Sequence, residues 1–164
     1  AKPTIAQIEG VATGGGCAIA LACDLRYCTP ESRFGMPIAR TLGNCLSVAN
    51  HARLVDLIGP ARVKELLFTG RLIDAAEAAS LGFVNRIVDA RRLGQSVRET
   101  AAAIAENAPL TIMATKEIVR RIQAGRRLDP DDARDLIELC YTSEDFAEGV
   151  AAFLAKRPPK WTGK

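Results

Sequence analysis

Three consecutive glycines, Gly14, Gly15 and Gly16, stand between two apolar runs in the stretch EGVATGGGCAIALACDLRYC, Glu9 to Cys28. Glycine loses more backbone freedom on folding than any other residue, so a triplet weakens a strand or helix unless the geometry requires it. The triplet therefore marks a tight turn. The segment after it, CAIALAC, is short, apolar and without an acid or base. It follows the glycines rather than lying between two turn signals, which favours a buried helix. The pattern predicts a strand, a turn and a helix whose mouth is bare backbone.

Three uses of such a turn are open. A phosphate loop of the form G-x-x-x-x-G-K-[ST] is excluded, because Cys17 and Ala18 follow the glycines, and GVATGGG lacks the spacing of the dinucleotide fingerprint. A structural turn would use glycine for positive φ and close packing. An oxyanion hole would use the unpaired N–H groups at the start of the helix, where the dipole adds partial positive charge. One such donor in a dry site contributes about 3 kcal/mol to a charged transition state.

Short strands come early in the chain and helices late. TIAQI (4–8), LRYC (25–28), RFGMP (33–37) and FVNRIVD (83–89) read as strands. One helix starts near Ser47 and stops at Gly59, and the next has Pro60 in its first turn and Gly70 past its end. Asp74 and Glu77 form a capping box, closed by Gly82. Three longer helices follow. Leu93, Val97, Ala101, Ile104 and Ala105 make one stripe; Leu110, Met113, Ala114, Ile118 and Ile122 make a second, expected to face inward between Pro109 and Gly125. Asp129 and Pro130 open the third. A last helix is expected from Ser143 to about Lys156, stopped by Pro158 and Pro159. So few strands make a sheet of poor stability alone. An N-terminal portion with more strands is the expected complement.

Composition narrows the function. The 164 residues suffice for one domain with a core, 48% of them hydrophobic and 25% charged. A net charge of +3 is too small to argue for nucleic acid but suits a small anionic ligand. Five cysteines without a C-x-x-C pair imply reduced thiols and a cytoplasmic location. With His51 as the one histidine, no zinc or other metal site is expected. No apolar run reaches membrane length.

The segments KPTIAQIEGVATGGGCAIALACDLRYCTPESRFGMP, GPARVKELLFTGRLIDAAEAASLGFVNRIVD, APLTIMATKEIV and SEDFAEGVAAFLAKRPPKW occur in that order. Together they resemble the enoyl-CoA hydratase/isomerase (crotonase) superfamily, in the later part of a family chain. The resemblance implies an α/β fold: a crotonase-like (ClpP/crotonase) spiral of β-β-α units with a C-terminal helical region. It assigns residues 1–89 to the later part of the core, with the oxyanion glycine and the pocket loop. Residues 90–164 become the helical region for CoA contact and oligomerisation, with the N-terminal part of the family fold absent. It further implies an acyl-CoA thioester as substrate, coenzyme A entering only as part of that substrate with no separate cofactor, and a homo-oligomer, a trimer or a dimer of trimers.

On this resemblance the N–H of Gly15 is an oxyanion donor, and Gly14 and Gly16 shape the turn around it. Enoyl-CoA hydratases carry glutamates where this chain has Ala18 and Ile38. Neither side chain can move a proton, so hydration by that pair is not expected. A lyase or an isomerase of another kind is the expected enzyme, with a non-catalytic acyl-CoA binder or assembly subunit as the alternative. Lys156 matches a family lysine that meets a CoA phosphate; an ordinary charged helix end is the competing reading.

Other residues carry two readings each. Asn44 could bind a substrate oxygen or simply make a turn with Gly43. Ser47 and Asn50 read as helix caps. Cys17, at a helix start and beside the expected substrate, could be a nucleophile or a small buried residue, and burial is favoured because no partner base is visible. His51 reads as surface or packing. Asp24 reads as a partner for nearby backbone. The pairs Arg91–Arg92, Arg120–Arg121 and Arg126–Arg127 read as solvated helix faces.

Overall fold

The computed structural model describes residues 2–125, 131 and 134–164. The expected cap at Asp129, Pro130 and the pair Arg126–Arg127 lie outside the described residues. Strand β1 (Ile5–Ile8) runs parallel to β3 (Leu25–Cys28), with Ile5 opposite Leu25 and Ile8 opposite Cys28. Strand β6 (Arg86–Ile87) extends this sheet on the other side of β3. A second sheet holds β2 (Val11–Thr13) parallel to β4 (Arg33–Gly35), with β5 (Ile73–Asp74) antiparallel on β4.

The chain passes from the first sheet to the second twice, each time through a tight turn. The first turn is at Gly10, at φ 75°. The second is at Thr29–Ser32, where the buried Ser32 hydroxyl donates to the Ile8 carbonyl (3.2 Å). Between them, helix α1 (Gly15–Ala22) makes the crossover that parallel strands require. Strands β1 and β2 with helix α1 form one unit of a β-β-α spiral, and β3 and β4 begin the next.

The core lies between α1, the second sheet and helix α3 (Val48–Thr69). Cys17, Leu21, Phe34, Met36, Leu54, Ile58, Val63, Ile73 and Phe83 are buried there. Phe34 and Phe83 meet at 5.2 Å between ring centroids. Helix α3 contains the break expected at Gly59: this residue takes φ 76° and ψ 159°, and Pro60 resumes the helix. Ser47 caps its start and Gly70 its end, at φ 61°. The Asp74 carboxylate accepts from the Glu77 amide (2.8 Å) and caps α4 (Ala75–Ser80).

Three expectations change. The CAIALAC helix is buried on one face only: Cys17, Ala20 and Leu21 face the core, but Ile19 is 70% exposed. FVNRIVD is a strand only at β6; Phe83 and Val84 are core side chains in the approach to it, and Asp89 instead caps α5 (Ala90–Ala105). Strand β4 stops at Gly35, and the chain then enters a short helix α2 (Ile38–Thr41).

The largest departure is in α6 (Pro109–Ala124). Its apolar stripe was expected inward, yet Leu110 is 72%, Ile118 57% and Ile122 51% exposed, and no residue of the helix is buried. An amphipathic pattern fixes which side wants cover, not what covers it. Lys116 ties α6 to the first strand's approach, donating to Asp24 Oδ2 (2.6 Å) and the Lys2 carbonyl (2.9 Å). Helices α7 (Arg134–Tyr141) and α8 (Glu144–Leu154) close the chain. Gly149 of α8 lies against the Leu42 backbone so closely that a Cβ there would collide with the Leu42 carbonyl. No helix among the described residues is long and apolar enough to cross a membrane.

Candidate active site

The glycine turn sits where β2 delivers the chain to α1. Gly14 adopts φ 52° and ψ −121°, a conformation that side chains strongly disfavour. Its amide donates to the Gly35 carbonyl at the end of β4 (3.3 Å). The first amide of α1 to find a helical acceptor is that of Ala18, which donates to the Gly14 carbonyl (3.0 Å). The Gly15 amide comes before that point and donates to no acceptor among the described residues. Gly15 and Gly16 are exposed, and a Cβ built on Gly14, Gly15 or Gly16 would meet nothing within 4 Å. The turn is therefore open on its outer side, with helix polarity directed into the opening.

Cys17 follows directly but points the other way. It is 1% exposed and borders a small apolar void of about 20 Å³, with Phe34, Met36, Leu54 and Phe83. Burial pushes its thiol up to about 11, against the lowering effects of a Gly35 backbone hydrogen bond and the Arg26 charge. It is a thiol at neutral pH and a packing residue, not an activated nucleophile. Ala18 is half-buried against the core. Ile38 is half-buried at the start of α2, three residues after the Gly35 carbonyl that receives Gly14. The structure thus gathers Gly14, Gly15, Gly16, Cys17 and Ala18 at one helix mouth and connects them to the Ile38 segment through Gly35.

Asn44 and Lys156 share no hydrogen bond with this turn. The Asn44 amide nitrogen donates to the Tyr141 hydroxyl (3.2 Å), and its oxygen is buried without a hydrogen-bond partner among the described residues. Tyr141 packs on Phe146 at 5.0 Å. No sequence signal linked Asn44 to a residue 97 positions away. Ser47 accepts from the Asn50 amide, and Asn50 from Arg53 Nη1 (3.1 Å), so both serve the start of α3. The His51 ring lies against the Ser47 carbonyl (3.3 Å) in the same turn.

Lys156 follows the last helix, exposed and at φ 52°, the one non-glycine residue with positive φ among those described. Arg157 beside it is held by Glu148 (2.6 Å), whereas Lys156 makes no ion pair among the described residues. Asp24 does meet backbone, accepting from the Thr4 amide (2.7 Å) and hydroxyl (2.8 Å). Burial raises its carboxyl, but the hydrogen bonds from Lys116 and Thr4 outweigh this and hold it below the ordinary carboxylate range. No group of three or more His, Cys, Asp or Glu side chains suited to a metal occurs among the described residues.

The turn, the crossover helix and the strand order are those of a known fold. The family described as enoyl-CoA hydratase/isomerase matches residues 1–164. The chain belongs to this family. It is 42% identical over 165 residues to the probable enoyl-CoA hydratase 2, mitochondrial, of Arabidopsis thaliana, covering 98% of this chain and 54% of that protein. It is 40% identical over 168 residues to the carnitinyl-CoA dehydratase of Citrobacter koseri, covering 99% of this chain and 64% of that one. Among solved structures, methylmalonyl-CoA decarboxylase in complex with 2-nitronate-propionyl-CoA superposes with a TM-score of 0.93 at 32% identity, over 99% of this chain and 64% of that chain. The fold is therefore the crotonase fold. The chain spans between half and two-thirds of the length of these relatives.

Proposed function

We propose that this chain carries the later part of an acyl-CoA site in which the Gly15 amide receives negative charge forming on a thioester oxygen. One observation carries the reading: the Gly15 N–H stands at an open helix mouth with no acceptor of its own among the described residues. A fixed donor of this kind stabilises an enolate without reorganising at the moment of reaction. Lys156, exposed and unpaired among the described residues, is suited to a CoA phosphate.

The reaction must proceed without the two hydratase glutamates, since Ala18 and Ile38 stand in their places. Cleavage of a bond at the carbon next to the thioester asks least of the side chains. In a decarboxylation the C–C bonding pair flows into the enolate, carbon dioxide leaves, and one proton then returns to carbon from water. No base is needed to begin. The likeness to a methylmalonyl-CoA decarboxylase supports this lyase reading, while the relatives named hydratase and dehydratase support the acyl-CoA substrate class. The five free thiols accord with a reducing, cytoplasmic setting. The bare apolar side of α6 supports a homo-oligomer.

The absence of both acids equally favours a second reading, a subunit that binds acyl-CoA without turning it over. The full-length protein, incubated with a panel of acyl-CoA esters including malonyl- and methylmalonyl-CoA and followed by mass spectrometry, separates the two. Loss of carbon dioxide, abolished by Gly15→Pro in a folded protein, is the expected result. Calorimetric binding without turnover of any ester would establish the second reading. Turnover unchanged in Gly15→Pro would remove the oxyanion role.

A further inference from the structure

Arg26 is the one charged side chain in the buried core among the described residues, at 4% exposure. No carboxylate among the described residues bonds to it. Its Nε donates to the Phe83 carbonyl (2.6 Å), and its Nη1 to the carbonyls of Cys23 (2.7 Å) and Ala20 (3.4 Å). The guanidinium carbon lies 5.9 Å from the centroid of the Phe83 ring. The neighbouring acid, Asp24, is directed instead to Thr4 and Lys116. Taking a guanidinium out of water without an ion pair is costly, and an apolar side chain of similar size often serves stability as well or better. Packing alone does not account for an arginine here.

The partners of Arg26 do. Cys23 is the C-cap of α1 and Ala20 lies in its last turn. Their carbonyls form the negative end of the helix, whose positive end is the turn with the Gly15 amide. We infer that Arg26 is a positioning residue: by gripping the C-terminal carbonyls of α1 it fixes the direction of that helix and adds positive potential along it toward Gly15. The charge is felt as far as Cys17, two residues from Gly15, where it favours the thiolate against burial. The two ends of α1 are also held by one cluster. Arg26 grips Phe83, Phe83 packs on Phe34, and the next residue, Gly35, accepts from Gly14.

This inference rests on the Gly15 reading, and its test separates the two. The full-length protein is titrated with cinnamoyl-CoA, whose ultraviolet band moves to longer wavelength when its thioester oxygen accepts hydrogen bonds. The wild type is expected to bind and shift the band. Arg26→Met is expected to retain native circular dichroism and a Kd within threefold, but to lose at least half of the band shift. Arg26→Lys, which keeps the charge but not the three-way grip, is expected to fall between. A folded Arg26→Met with the full shift overturns the inference and leaves the Gly15 reading intact. If Arg26→Met does not fold, a full shift in Arg26→Lys overturns it and a partial shift supports it. Failure of both variants to fold assigns Arg26 to stability alone and overturns the inference. A wild type that binds without any shift, or does not bind, defeats the Gly15 reading itself.

Discussion

The Gly14 amide donates to the Gly35 carbonyl across 3.3 Å, and this bond joins the turn before α1 to the strand that leads into Ile38. Two segments separated by a full crossover are thereby fixed side by side. Gly35 has no room for anything larger than hydrogen. A Cβ on it would lie 2.7 Å from Leu72 Cδ2 and 2.9 Å from the Arg71 carbonyl oxygen. Gly35→Ala is therefore expected to destabilise the fold by about 1–3 kcal/mol, since the contact is partly with backbone that cannot rotate away. Urea denaturation monitored by circular dichroism measures this. A midpoint equal to wild type would show that the β4 end yields easily.

The proposed CoA contact would set stability against function at Lys156, which holds φ 52°. A non-glycine residue in the left-handed region costs about 1 kcal/mol or more relative to glycine. Lys156→Gly should raise the melting temperature, while Lys156→Ala, which keeps the strained backbone, should not. Both should weaken binding of a CoA ester, and to the same degree, because both remove the ammonium. Differential scanning calorimetry and isothermal titration on the three proteins check the pair of effects. Equal affinity in all three would show that Lys156 does not meet the ligand.

Cys17 gives the fold an alkaline limit. Its thiol is held up at about 11, against an ordinary 9.0. The unfolded chain releases this proton near pH 9 while the folded chain keeps it, so stability is full below pH 9 and falls as pH rises toward about 11. The slope from this one group is about 1.4 kcal/mol per pH unit. Cys17→Ala should be less stable at pH 7 yet lose less on going from pH 9 to pH 11. Parallel losses in the two proteins would place the alkaline transition elsewhere.

The bare face of α6 predicts self-association. Leu110 and Ile118 are 72% and 57% exposed, so replacing both by lysine leaves the monomer's packing intact. Multi-angle light scattering of the full-length protein should give a multiple of the monomer mass, and Leu110→Lys/Ile118→Lys should lower it. An unchanged mass in the double variant would move the interface off this helix.

Much of the local structure was legible in the sequence because local rules govern it. Ser47, Asp74 and Ser143 cap the helices where their side chains allowed it. The Gly59–Pro60 break followed from one residue free to take positive φ and another without an amide hydrogen. Strand lengths were less legible. Elements of two or three residues, such as β2 and β5, carry no periodicity and exist through the partner that pairs with them.

By itself, the sequence determined the glycine turn, the helix that opens from it, the reading as a crotonase chain and the lack of acids at positions 18 and 38. Only the tertiary structure decided that the Gly15 amide stays open, that Asn44 meets Tyr141, that Arg26 is buried against the end of α1, and that the α6 stripe stays exposed among the described residues. The division has a physical cause. Caps, breaks and turns are set by neighbours along the backbone. Burial and long-range hydrogen bonds depend on which distant surfaces meet, and a pattern of side chains states the need for a partner without naming it.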